Sequence, residues 1–132
     1  MKTFPSILHW AARLVAALLM LQTLYFKFAA SEESVYIFQA VGMEPWGRIG
    51  VGILELIASV LLLINSTAWL GAALAAALMF GAMGMHITVL GIEVKGDGGQ
   101  LFLYALIVFV CSMYVLVVNR QRLLQLITKF VK

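Results

Sequence analysis

The chain is predicted to fold as an all-α integral membrane protein, a four-helix antiparallel bundle with a short interfacial helix after the first span and an amphipathic C-terminal tail. Composition is the first reason: of 132 residues, 64% are hydrophobic and 11% charged, far outside the usage of soluble domains. Spacing is the second. Apolar stretches cover about 7–28, 47–64, 68–90 and 100–118, and at roughly 1.5 Å of rise per residue each can cross most of a bilayer's hydrocarbon. The third is length: residues 1–132 suffice for one compact membrane domain and leave no room for a separate soluble one.

The first span, about 7–28, holds His9, Arg13, Gln22 and Lys27. Arg13 is expected to snorkel to the interface at its start, and Lys27 at its end. A charged start before an apolar run also fits a secretory signal, with FAAS offering small residues for cleavage, but Lys27 intrudes just before that site and favours a membrane span. Ser31 with Glu32 and Glu33 then supplies a hydroxyl cap and early acids for a short helix over VYIFQAVGM, lying in the interface or dipping into the bundle mouth. Glu44-Pro45-Trp46 opens the second span, where proline suits a first turn and Trp46 suits the headgroup level.

The second span, GRIGVGILELIASVLLLI, is the organising element. Its two charges, Arg48 and Glu55, are seven residues apart, so Arg48, Gly52, Glu55 and Ser59 share one helical face. That face is expected to turn inward, because a carboxyl near mid-membrane is costly in lipid. Asn65-Ser66-Thr67 is a tight turn, so the third span runs back antiparallel beside the second. Gly71, Ala75, Ala77 and Gly81 give it small-xxx-small spacings that suit close helix contact, within the chain or in a homo-oligomer. His86 comes late in that span, before the loop GIEVKGDGG. Gly96, Gly98 and Gly99 are expected to take positive φ there, with Asp97 helping to cap the fourth span. The tail NRQRLLQLITKFVK alternates basic and apolar residues at helical spacing, as an amphipathic surface helix does.

Four spans put both termini on one side. Lys2, Arg13, Arg120, Arg122, Lys129 and Lys132 belong to that side, against Lys27, Arg48 and Lys95 on the other with all six acids. The positive-inside rule therefore places both termini in the cytoplasm. The same orientation brings Gln22, Lys27, Arg48, Glu55 and His86 to the outward half, capped by the loop acids Glu93 and Asp97. The inward halves are almost wholly apolar, so the expected bundle has a polar pocket opening outward above a dry floor.

For Glu55 and Arg48 two readings stand side by side: a structural ion pair or neutral hydrogen-bonded acid that fixes helix register, and a ligand- or proton-handling site. His86 is either a satisfied core histidine or a hydrogen-bonding partner at the depth of Glu55. Other chemistries find less support. Glu93, Asp97 and His86 match no dedicated metal spacing, so no metal site is expected, and the glycine-rich loop has neither a GxGxxG pattern nor a GK[ST] ending. The single Cys111 provides no internal disulfide, no CxxC pair and no thiolate cluster, and with Tyr104 it reads as packing. No nucleic-acid partner is expected.

The segments QTLYFKF, ESVYIF, GMEPWGRIGVGILELIASVLLLI and HITVLGIEVKGDGG, followed by a last hydrophobic helix, resemble the DoxX-like family of small bacterial four-helix membrane proteins. The resemblance covers nearly the whole chain, most closely 21–111. It implies a bacterial inner-membrane location and a link to membrane redox or thiol homeostasis, the family name coming from a subunit of a thiosulfate:quinone oxidoreductase. Quinone is thus the implied candidate cofactor, and Lys27, Arg48, Glu55, His86, Glu93 and Asp97 match the family's recurrent polar positions. Lacking a cysteine pair, the chain does not fit a self-contained thiol oxidoreductase. No nucleophile with its base, metal triad or cofactor fingerprint is visible, so catalysis is expected at most as a subunit of a quinone-linked oxidoreductase. The first expectation is a binding module whose outward pocket holds a small or lipophilic ligand, quinone or lipid-like, lined by Gln22, Lys27, Arg48, Glu55 and His86. The alternative is a structural or chaperone-like assembly protein with a membrane-protein partner, in which the polar cluster only stabilises the bundle.

Overall fold

The computed structural model describes residues 3–94, 96 and 98–119, with side chains from Ile7 onward. Five α-helices follow in order: α1 (Thr3–Phe28), α2 (Glu32–Ala40), α3 (Trp46–Leu63), α4 (Ala68–Met85) and α5 (Gln100–Val118). No strand occurs among the described residues. Four helices are long and apolar enough to cross a membrane, over Ile7–Phe28, Trp46–Leu63, Asn65–Leu90 and Gln100–Val118. The predicted amphipathic tail beyond Asn119 lies outside the described residues, as do Lys95 and Asp97.

The four spans form a closed circuit in which α1 and α4 each pack against α3 and α5 and face one another across the diagonal. Their outer faces carry exposed large apolar side chains, Leu18, Tyr25, Phe80 and Ile87 among them, a surface that suits lipid rather than water. The polar stripe of α3 turns inward. Arg48, Gly52, Glu55 and Ser59 are all buried, and a Cβ at Gly52 would stand 2.8 Å from the ring of Phe28, so α1 and α3 approach closely there.

Between α3 and α4 the chain turns through a single 3₁₀ turn, Asn65–Thr67, in which Thr67 Oγ1 donates to the carbonyl of Leu61 at 3.0 Å. This short link lays α4 directly on α3. At Gly71 an added Cβ would lie 2.6 Å from Leu62 N and 2.8 Å from Ala58 O, a backbone contact that any larger residue would force apart. Around it Ala16, Ala58, Ala72 and Ala75 are fully buried and close the middle of the bundle.

The small residues of α4 do not form one contact face. Gly71 and Ala75 are buried within the chain, while Ala77 and Gly81 are exposed and line a cavity that opens at the surface. The physical reason is simple: Ala77 follows Ala75 by two residues, about 200° around the helix. Beyond Met85 the span continues as a π-helical turn, His86–Leu90, ending at Gly91 with φ +82°. Gly96, Gly98 and Gly99 do take positive φ, and Glu93 Oε2 accepts from Gly98 N at 3.0 Å to close the loop.

Arg13 corrects the expected snorkelling. Instead of reaching water it is 1% exposed, its Nε donating to the carbonyl of Leu62 and its Nη1 to Asn65 Oδ1 at 3.0 Å. The guanidinium lies 3.7 Å from the centre of the Trp10 ring. The cause is position: Leu62 lies in the last turn of α3, whose carbonyls lack intrahelical partners and carry partial negative charge, so an inward guanidinium is received by them. Asn119 Nδ2 meets His9 Nε2 at 2.9 Å, joining α5 to α1 at the same end. The floor of the bundle is therefore small and apolar at its centre and polar at its rim.

Candidate functional site at the α2 end

Where the bundle widens toward α2 it forms a partly open cavity of about 440 Å³, bounded by α1, α3, α4 and α5 with α2 over part of it. Its depth is apolar, walled by Leu19, Met20, Leu78, Met79 and Val108. Volume exists because α4 offers Ala77 and Gly81 to this space, and a Cβ at Gly81 would meet nothing within 4 Å. The cover is held by local chemistry: Ser31 Oγ accepts from Ser34 N at 3.2 Å at the start of α2, Glu32 and Glu33 occupy its first turn, and Phe38 is buried beneath it.

Lys27 and Glu55 meet on the wall. Lys27 sits in the last turn of α1, where a cation suits the helix dipole, and its Nζ stands 3.0 Å from Glu55 Oε1 and 3.4 Å from Thr23 Oγ1. Glu55 is 4% exposed. Ser59 Oγ donates to the Glu55 carbonyl at 2.8 Å, one turn deeper on the same face.

Arg48 stands apart from the cavity and pairs with a different acid. Its Nε and Nη2 contact Glu44 at 2.9–3.1 Å, and its Nη1 donates to the carbonyl of Lys27. The predicted structural pairing of Arg48 with Glu55 is thus replaced by an i,i+4 pair at the start of α3, which also ties the end of α1 to α3. Arg48 therefore positions the backbone of Lys27.

His86 reaches the cavity through the π-turn. Gly91 N donates to the His86 carbonyl at 2.7 Å, and His86 Nδ1 lies 2.9 Å from the Gly91 carbonyl. The ring meets Phe102 edge to face at 5.6 Å. A π-turn adds one residue to the helical repeat and re-aims the side chain at its start, a device often found at functional positions.

Of the residues expected to form a site, Gln22, Lys27, Glu55 and His86 line one cavity. Arg48 lies behind that wall, Glu93 lies in the exposed loop, and Asp97 is outside the described residues. Sequence reasoning missed Glu33, Ser34, Gln100 and Tyr104, all of which also line it. Gln100 Nε2 donates to Tyr104 Oη, an i,i+4 pair that the spacing could have shown. Among the described residues no group of three or more His, Cys, Asp or Glu side chains is placed to hold a metal.

The DoxX family model matches residues 8–90. The chain belongs to the DoxX family. The matched region runs from the first turns of α1 to the end of the π-turn, and so contains Gln22, Lys27, Glu55 and His86 of the DoxX cavity wall. The α5 side of that wall, with Gln100 and Tyr104, lies beyond it. Comparison with curated proteins and with solved structures gave no significant match.

Proposed function

We propose that this DoxX-family membrane protein binds a small or lipophilic ligand, quinone or lipid-like, in the cavity beside Lys27 and Glu55, as an accessory to a membrane redox system. The observation that carries the reading is an ion pair, its carboxylate buried and its ammonium half-buried, left on the wall of an open apolar volume. A pair that only locked α1 to α3 would be enclosed by side chains, because empty space in a core forfeits packing energy. At about 440 Å³ the cavity falls in the size range of small-molecule sites, with apolar walls and a few convergent polar groups. A quinone fits that donor set in kind: Lys27 and Gln22 would hold its carbonyls, and its redox chemistry would come from the ring itself. The distribution of Lys and Arg supports an inner-membrane orientation with both termini in the cytoplasm and the cavity toward the outer leaflet.

The test is retention. Protein purified in mild detergent is extracted and its small molecules are identified by mass spectrometry. Glu55→Gln leaves Lys27 without its counter-charge and is expected to lower copurifying ligand severalfold; unchanged content would count against the reading.

A second reading is that of a structural or assembly protein with a membrane-protein partner, and the Arg48 staple favours it. Glu44, Arg48 and the Lys27 carbonyl form a closed knot whose evident effect is to fix α1 on α3. On that reading Glu55→Gln lowers thermal stability with no ligand to lose, and a partner protein copurifies.

A further inference from the structure

We infer that the ligand of this cavity is a neutral lipophile whose polar end is a hydroxyl, an alcohol or a phenol, and that His86 Nε2 is the acceptor that reads it. The inference rests on the cavity being a binding site and goes beyond it by naming the chemistry of the occupant. Of a quinone couple it selects the reduced quinol, which carries phenolic hydroxyls where the oxidised form has only accepting carbonyls, and of lipid-like ligands it selects an alcohol. A carbonyl oxygen can only accept, so the 2.9 Å contact between His86 Nδ1 and the Gly91 carbonyl requires the proton to be on Nδ1. In the neutral ring Nε2 is then an acceptor.

The Nδ1 hydrogen bond sets that tautomer, and the Gly91 N to His86 carbonyl bond that closes the π-turn and the edge contact with Phe102 hold the ring in place. His86 is 5% exposed and lines the cavity. The buried side-chain atoms sealed off without a hydrogen-bond partner are Arg13 Nη2, Glu55 Oε1 and Ser112 Oγ among the described residues. Nε2 of His86 is not one of them, no described residue bonds it, and the residue lines the cavity, so in this tautomer its lone pair is the acceptor His86 has to offer there.

Charge selects against ionic heads. The charged groups on the described wall are Lys27, Glu33 and Glu55, one cation against two acids, with the cation already paired at 3.0 Å. A carboxylate or phosphate would meet surplus negative potential, whereas a neutral O–H satisfies Nε2 at little desolvation cost. The apolar depth between Met20, Leu78 and Val108 takes the rest of the molecule.

The test compares three probes with one tail, 4-nonylphenol, its methyl ether 4-nonylanisole and 4-nonylbenzoate, bound to the purified full chain in nanodiscs and measured by native mass spectrometry. The phenol is expected to bind about 3- to 10-fold more tightly than the ether, the worth of one hydrogen bond, with the benzoate weakest. Equal phenol and ether affinity, or a benzoate that binds best, overturns the inference while leaving the cavity as a binding site; no binding by any of the three overturns both. His86→Asn keeps a donor for Gly91 and removes the acceptor, and is expected to bring the phenol-to-ether ratio to about one. His86→Gln places an oxygen near the position of Nε2 and is expected to restore part of it. A ratio unchanged in His86→Asn overturns the role of Nε2.

Discussion

At the α2 end of the bundle a half-buried cation faces a buried anion beside open volume, with Lys27 Nζ 3.0 Å from Glu55 Oε1. At the other end Arg13 is buried more deeply, 1% exposed, and meets no carboxylate among the described residues. The contrast lies in what receives the charge. Arg13 is held by the terminal carbonyl region of α3, by Asn65 and by the face of Trp10, all of which are neutral groups that close a helix end. Lys27 is held by a formal charge whose carboxylate borders a cavity. One end uses polarity to join helices without space, and the other keeps polarity beside space.

The packing at the two ends differs in the same sense, and two glycines of α4 measure it. Gly71→Ala puts a Cβ 2.6 Å from Leu62 N and 2.8 Å from Ala58 O, backbone atoms that can move only by separating α3 from α4. The expected loss is about 3 kcal/mol, at the upper end of overpacking effects, read by reversible unfolding in mixed micelles. A loss below about 1 kcal/mol would show that α3 and α4 are less tightly seated than the contact implies.

Helical periodicity carried the fold, because spans of about twenty apolar residues have few alternatives in a membrane, and the burial of Arg48, Gly52, Glu55 and Ser59 on one face was legible from their spacing alone. Partnership was less legible. Lys27 and Glu55 meet across 28 positions of sequence that include all of α2, and no local rule selects that pair over Arg48 with Glu55. Glu44 lies four residues before Arg48, but it precedes the first residue of α3, so an i,i+4 pairing on that helix does not follow from helical spacing alone. The inward turn of Arg13 depended on where α3 ends in space, and the π-turn at His86 on a hydrogen-bond register that hydropathy does not encode. The small residues of α4 were visible, but whether they give contact or cavity is a matter of which neighbour faces them.

Arg13→Met tests the neutral reception of charge at the terminal end. Methionine keeps much of the side-chain volume and removes the desolvated charge, while the Leu62 carbonyl and Asn65 lose a donor. These effects oppose, so the expected loss is about 1–2 kcal/mol, less than that of a broken buried ion pair. Ligand content is expected to be unchanged, because Arg13 is not part of the cavity wall. A larger loss would mean that the guanidinium supports the bundle as strongly as a charge pair does; a change in ligand content would mean that the two ends are coupled through the bundle.

Gly81→Ala is the smallest effect and the most discriminating, since it is the same substitution as at Gly71, ten residues further along the same helix. Its Cβ meets nothing within 4 Å, so no clash opposes the gain from replacing glycine inside a helix. A stabilisation of about 0.5–1 kcal/mol is expected, opposite in sign to Gly71→Ala. Extending the series to Gly81→Leu projects a branched side chain into the cavity and is expected to keep or raise stability while reducing bound ligand, measured by the same unfolding and extraction experiments. If Gly81→Leu destabilised the protein as Gly71→Ala does, the space beside Gly81 would have to be closed in the membrane, and the two halves of α4 would be packed alike. If it were stable with ligand content unchanged, the volume would exist but lie apart from the place where the ligand rests. Stability retained with ligand lost is the result that only an open, occupied cavity gives, because filling a void that holds nothing removes nothing from the extract.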